Sequence, residues 1–175
     1  TVLEVKKQEP LTYSLHLAVA PTKLNDRYEW FLEKATEIGV TEITPIICNH
    51  SERKVVKIDR FEKKIQSAMK QSLNGYLPKI NKAIAFSNFL KLQEGNLHQK
   101  LIAHCEEGKK KSLKSVLKPN DNTTLLIGPE GDFSTNEISE SIKAGFIPVT
   151  LGNNRLRTET AAIVACHSVA FFNED

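Results

Sequence analysis

Residues 151–172 read LGNNRLRTETAAIVACHSVAFF, and the two halves of the stretch follow different rules. From Thr158 onward the pattern is that of a helix with one buried side. Before it, Gly152-Asn153-Asn154-Arg155 is polar and conformationally permissive. This run delivers Arg157 and Thr158 to the mouth of a largely apolar helix. Thr158 has the side chain of a helix N-cap. The free amides and positive dipole end of the helix then face whatever lies beyond the loop. The plain alternative makes Thr158-Glu159 a simple cap and leaves Arg155 and Arg157 as solvated charge.

A second stretch, LLIGPEGDFS at residues 125–134, has the same design. A buried strand ends at glycine, and a short polar loop leads into a helix. Gly128 and Gly131 are expected to let the backbone turn and approach a ligand, Pro129 to stiffen the turn, and Glu130 to stand at the strand's C-terminal end. The loop matches neither the phosphate-binding GxxxxGK[ST] pattern nor the dinucleotide GxGxxG pattern, so alone it is a weak signal. A tight strand-to-helix turn explains it equally well. The pairing of two glycine-bearing strand ends argues for a shared ligand site.

Outward from these loops, strands and helices alternate. YSLHLAVA (13–20) reads as a buried strand. NDRYEWFLEKATEIG follows as a helix, capped by Asn25 or Asp26, with Tyr28, Phe31, Leu32, Ala35 and Ile38 on one face and Gly39 at its end. VTEITPII is a strand whose Pro45 suggests an edge or a strand end. A helix begins near Ile58, its stripe formed by Phe61, Ile65, Ala68, Met69 and Leu73. AIAF is a short strand, 87–93 a short helix, and KLIAHC (100–105) a strand; EEGKKKS is a charged, flexible loop. TTLLIG (123–128) and FIPVTLG are strands. Between them lies a helix with a Ser134/Glu137 capping box, a Phe133/Ile138 staple and Gly145 past its end. Residues 2–6 read as a strand ending at Pro10. The pattern is that of an α/β domain, mainly parallel, with helices on both faces of the sheet. Ligands of such sheets bind where strands end and loops begin.

The 175 residues suit one core-forming domain, with 40% hydrophobic and 26% charged residues. There is no apolar run of membrane-spanning length. Cys48, Cys105 and Cys166 are isolated and lack metal-ligand spacing, which points to reduced thiols, a cytoplasmic setting and no metal site. Net charge is +3, yet residues 130–175 hold seven acidic and three basic side chains. The basic excess lies elsewhere and suits either a polyanionic partner or an ordinary solvated surface.

LLIGPEGDFSTNEI together with LGNNRLRTETAAIVA resembles the C-terminal signature of the SPOUT methyltransferases. More narrowly, it resembles the bacterial family that methylates N3 of a uridine in the decoding region of small-subunit (16S) ribosomal RNA. KLNDRYEWFLEKATEIGVTEITPI, SERK, KQSLNGYLPKI and IAHCEE extend the resemblance over nearly the whole chain. It implies an α/β fold with a C-terminal trefoil knot, S-adenosylmethionine as cofactor and a homodimer acting on small-subunit ribosomal RNA or the assembled subunit. It further implies that His104, Cys105, Ile127, Gly128, Pro129, Glu130, Gly131, Leu151, Gly152, Leu156, Arg157 and Thr158 border the cofactor. Arg157 and Glu130 are the implied catalytic residues. Lys23, Arg27, Arg53, Lys54 and Arg155 are the candidates for RNA contact, and Trp30 a candidate for stacking or for packing.

The sequence departs from the resemblance in three places. A small RNA-binding β-barrel usually comes first; here residues 1–12 read as its last strand and linker, and 13–175 as the methyltransferase domain. Asn74-Gly75-Tyr76 stands where an arginine is frequent, and Asp132 stands where a second glycine commonly follows Gly131. Other functions compatible with the motifs are methylation of another base or a ribose 2′-hydroxyl, and RNA or nucleotide binding without transfer.

Overall fold

A computed structural model describes residues 7–174; the strand read at residues 2–6 lies outside the described residues. The elements are β1 (Ser14–Val19), α1 (Asn25–Ile38), β2 (Glu42–Ile47), α2 (Ile58–Gln71), β3 (Lys79–Ile80), β4 (Ile84–Ala85), α3 (Phe86–Leu92), β5 (Gln99–Ala103), β6 (Lys111–Ser112), α4 (Leu113–Val116), β7 (Asn122–Ile127), α5 (Thr135–Lys143), β8 (Ile147–Thr150) and α6 (Thr158–Phe172). The sheet runs β3-β2-β1-β7-β5-β8-β6, with β4 also on β2. Every pairing is parallel.

Alternation along the central strands sends successive side chains to opposite faces. Leu15, Leu17, Val19, Leu101, Leu125 and Ile127 enter one cluster, with Tyr28, Phe31 and Leu32 of α1, Phe61 and Ile65 of α2, and Ala162, Ala165 and Val169 of α6. Ala18, Ile102 and Leu126 enter the other, beneath Phe86 and Phe89 of α3 and Ile138 of α5. Each fully buried large side chain contributes about 1.5–3 kcal/mol relative to exposure. These two clusters fix which side of the sheet each helix covers. The expected α/β architecture with helices on both faces is therefore present.

The N-cap of α1 is Leu24 and makes no side-chain cap bond; Asn25 is the first helical residue and bonds Glu29 instead. Strand β2 is internal. Pro45 pairs in register with Val19 and falls between the residues that meet β3 and those that meet β4, so its missing N–H interrupts no ladder there. Leu73 is not on the α2 stripe: the helix ends at Gln71, and Leu73 is exposed at φ 55°. The charged loop after β5 gives way to a strand and a short helix, β6 and α4. Lys110 is anchored, its Nζ donating to His104 O (3.0 Å) and Glu106 O (2.8 Å). The capping box of α5 is present, with Glu137 N donating to Ser134 Oγ and Ser134 N donating to Glu137 Oε2.

Candidate functional site

Strands β7, β5 and β8 are neighbours, and their C-terminal ends are level. Ala103 pairs with Ile127 on one side and Val149 on the other. The loops leaving these three ends enclose a cavity of about 620 Å³. That is the size of a pocket for a small organic ligand. Its floor is apolar, from Ala103, Ile127, Val149 and Ala161.

The two opening motifs form its walls. Gly128, Pro129 and Glu130 line one side, and Leu151, Gly152, Arg155, Leu156, Arg157 and Thr158 the other; His104 and Cys105 complete it from the end of β5. Arg155 and Arg157 are exposed at its edge. Thr158 is buried and is not the cap: Arg157 occupies the N-cap position, and Thr158 Oγ1 donates to Gly128 O at 3.0 Å. The hydroxyl thus joins the two glycine loops. Gly152 sits at φ 136°, a backbone that side-chain-bearing residues rarely adopt.

Gly131 does not line the cavity, and neither Gly128 nor Gly131 adopts a left-handed backbone. Both are small for packing reasons. A Cβ on Gly128 would stand 3.1 Å from the Phe133 ring and its amide, and one on Gly131 3.0 Å from His50 Cβ. The left-handed residue is Asp132, at φ 64°. Asp tolerates that region because its short side chain bonds locally. Asp132 Oδ1 accepts from Phe133 N (2.8 Å), and Oδ2 accepts from Cys105 N (2.7 Å). It also lines the cavity.

The loop 48–54 braces this assembly from outside. His50 Nδ1 donates to Gly131 O (3.0 Å), and Asn49 N donates to Glu137 Oε1 (2.9 Å). The Arg53 guanidinium donates to Lys23 O (2.8 Å) and Thr22 O (3.1 Å). Glu130 Oε1 accepts from Lys23 N at 2.9 Å. Arg53 and Glu130 therefore hold the same segment, 22–23, through its carbonyls and its amide respectively.

Of the basic residues picked for RNA, Lys54 is exposed, and Arg155 stands at the cavity edge. Lys23 pairs with Glu52 at 2.8 Å. Arg27 Nε lies 3.9 Å from Oε1 of the buried Glu159, whose Oε2 has no hydrogen-bond partner. Asp132, Lys110 and His50, with the floor residues Ala103, Val149 and Ala161, are site residues that sequence reading missed. Only Asp132 left a trace, as an odd residue in a glycine position.

His104 Nδ1 is buried in the cavity wall without a hydrogen-bond partner. Burial holds the imidazole below its ordinary pKa, helped by Lys110 and opposed by Asp132 and Glu106. The shift favours the neutral ring. Among the described residues no group of three or more His, Cys, Asp or Glu side chains is arranged to hold a metal ion.

A family model of the RNA methyltransferase domain matches residues 8–170. The chain belongs to the RNA methyltransferase domain family. The matched span takes in every residue that lines the cavity. The chain is 38% identical over 154 residues to the ribosomal RNA small subunit methyltransferase E of Mesomycoplasma hyopneumoniae, covering 85% of this chain and 65% of that protein. It is 33% identical over 157 residues to the protein of the same name from Buchnera aphidicola, covering 86% of this chain and 60% of that one. The chain thus spans less than two thirds of the length of these two relatives. Among solved structures, the ribosomal RNA small subunit methyltransferase E from Neisseria gonorrhoeae bound to S-adenosyl methionine is 30% identical. It superimposes with a TM-score of 0.81 over 94% of this chain and 67% of that one. Within the RNA methyltransferase domain family, the fold described above is therefore a shared one.

Proposed function

We propose that this chain carries the catalytic domain, residues 13–175, of an S-adenosylmethionine-dependent methyltransferase acting on N3 of a uridine in the decoding region of 16S ribosomal RNA. The observation that carries the reading is the cavity at the level ends of β5, β7 and β8, with Arg157 at its edge. Its residues fit the cofactor. An apolar floor suits the adenine, and Leu151 and Leu156 offer apolar contact. Gly128, Pro129, Gly152 and Thr158 hold the surrounding backbone. A C-terminal trefoil knot, which the SPOUT resemblance implies, belongs to this reading.

When bound, the cofactor supplies an electrophilic methyl group on a sulfonium. This chain's part is to prepare the nucleophile. N3 of neutral uracil carries a proton, and negative charge grows on N3 and the flanking carbonyl oxygens as that proton passes to solvent. Arg157 supplies a guanidinium, whose forked donors suit such an anion. It has room to offer them, being exposed at the edge of the cavity. Arg155 stands beside it. Glu130 belongs to the wall, with one oxygen committed to Lys23 N. Lys54 and Arg155 are best placed for phosphate; Lys23, Arg27 and Arg53 carry internal bonds already.

The substrate reading includes small-subunit RNA or the assembled subunit, a homodimer and a cytoplasmic setting. Exposed Trp30 on α1 and Phe171 on α6 support a partner copy, and no helix among the described residues is long and apolar enough to cross a membrane. The decisive experiment is methyl transfer from labelled cofactor to small subunits that lack the modification, followed by mapping of the nucleotide. Label on N3 of a single uridine is expected, and Arg157→Ala should bind cofactor but transfer nothing. Label on another base or a ribose would overturn the substrate. Full transfer by Arg157→Ala would overturn the catalytic role.

A further inference from the structure

Asp132 is held in a conformation that costs most residues energy, and it spends both carboxylate oxygens on backbone amides. Oδ1 closes a tight local bond to Phe133 N, and Oδ2 crosses 27 residues to Cys105 N at 2.7 Å. The second bond joins loops that leave two adjacent strands, β7 and β5. Cys105 immediately follows His104, whose Nδ1 is buried without a partner in the cavity wall. Lys110 ties the same segment from the other side through His104 O. His50 grips the Gly131 and Asp132 carbonyls from outside. A glycine at 132 would satisfy the backbone equally well but would supply no carboxylate. The side chain is therefore explained by what it bonds, not by the turn.

We propose that Asp132 is a positioning residue: it latches the β5 loop to the β7–α5 loop and so sets the His104 imidazole against the ligand in the cavity. The proposal deepens the methyltransferase reading and rests on it for the identity of the ligand. The latch itself stands on the hydrogen bonds alone. It makes this chain's pocket differ from one with glycine at this position, where the two loops would lack this tie.

The test compares the wild type with Asp132→Gly, which suits the left-handed backbone, and with Asp132→Asn, which also tolerates it but carries no charge. Three quantities are read: amide hydrogen exchange at Cys105, the His104 titration by NMR, and the Kd for S-adenosylmethionine. In Asp132→Gly, Cys105 exchange should rise at least tenfold, while the Ser134 and Glu137 amides of the α5 cap stay protected. The His104 pKa should fall further, because Asp132 pulls it upward against burial and Lys110, with Glu106 the other opposing charge. The Kd should weaken about tenfold, the scale of one charge-assisted hydrogen bond. Asp132→Asn should fall between the two, keeping one acceptor oxygen. Unchanged Cys105 exchange and His104 titration in a folded Asp132→Gly would overturn the latch. A changed latch with an unchanged Kd would overturn its role toward the ligand. A wild type that binds no cofactor would overturn the methyltransferase reading instead, and exchange and titration would still decide the latch.

Discussion

Thr158 Oγ1 donates to Gly128 O at 3.0 Å, a bond across 30 residues that joins the two loops enclosing the cavity. The hydroxyl is buried and leaves α6 uncapped by a side chain, so it serves the tertiary joint rather than the helix end. Thr158→Val keeps the shape, removes the donor and strands a buried carbonyl. A loss of about 1–3 kcal/mol in denaturant unfolding is expected. Thr158→Ser should recover most of it. Equal stability of Thr158→Val and wild type would mean that the joint is not held by this bond.

Gly131→Ala tests whether that glycine serves packing. The added methyl would meet His50 Cβ at 3.0 Å, and the neighbouring loop must shift by a few tenths of an ångström. Overpacking of this kind typically costs about 1–3 kcal/mol. Thermal unfolding should show the loss, and the backbone amide shifts should move in residues 48–53 as well as in the mutated loop. Perturbation confined to residues 128–134 would argue against the contact.

Arg53 and Lys54 are adjacent in sequence and should behave differently. Arg53 braces the turn at Thr22 and Lys23, whereas Lys54 is exposed. Lys54→Ala should weaken RNA binding and lower the dependence of log K on log salt by about one contact. Arg53→Ala should lower stability by about 1–2 kcal/mol and leave that slope nearly unchanged. Arg53→Lys should rescue little, since one ammonium does not reproduce the fork. A reduced slope in Arg53→Ala without loss of stability would reverse the assignment.

His16 makes the fold sensitive to acid. Its Nε2 lies 2.7 Å from Thr44 Oγ1, and its ring meets Phe89 edge-on with centroids 5.5 Å apart. Burial lowers its pKa, with Lys79 and His98 adding to the effect and Glu42 opposing it. The unfolded chain therefore binds this proton more readily than the fold does. The neutral ring's contribution is complete above the unfolded value of about 6.5 and is lost as pH falls toward the folded value. The stability gap between wild type and His16→Asn should narrow on acidification below about pH 6.5. A gap that is constant with pH would show that His16 is not the responsive group.

The layers of the fold were legible because periodicity reports burial directly. Leu125, Leu126 and Ile127 read as a buried strand, and they fall in the two clusters on its opposite faces. The pairing of the two glycine loops was legible too, since both are polar breaks at strand ends. What stayed hidden were contacts made at long range. Nothing local to Gly131 announces His50, and nothing local to Thr158 announces Gly128 O. Thr158 has the chemistry of a cap, yet the tertiary acceptor won. The short β6 and α4 were hidden in a lysine run whose composition suggests a loop; they form because β6 pairs with β8 and Leu113 buries against the core.

On the proposed function, S-adenosylmethionine binds in the cavity at the ends of β5, β7 and β8. Calorimetric titration of that cofactor into the folded protein tests it most directly. Saturable binding at one site per chain, competed by S-adenosylhomocysteine, is the expected result. A cooperatively folded protein that takes up no cofactor would contradict it.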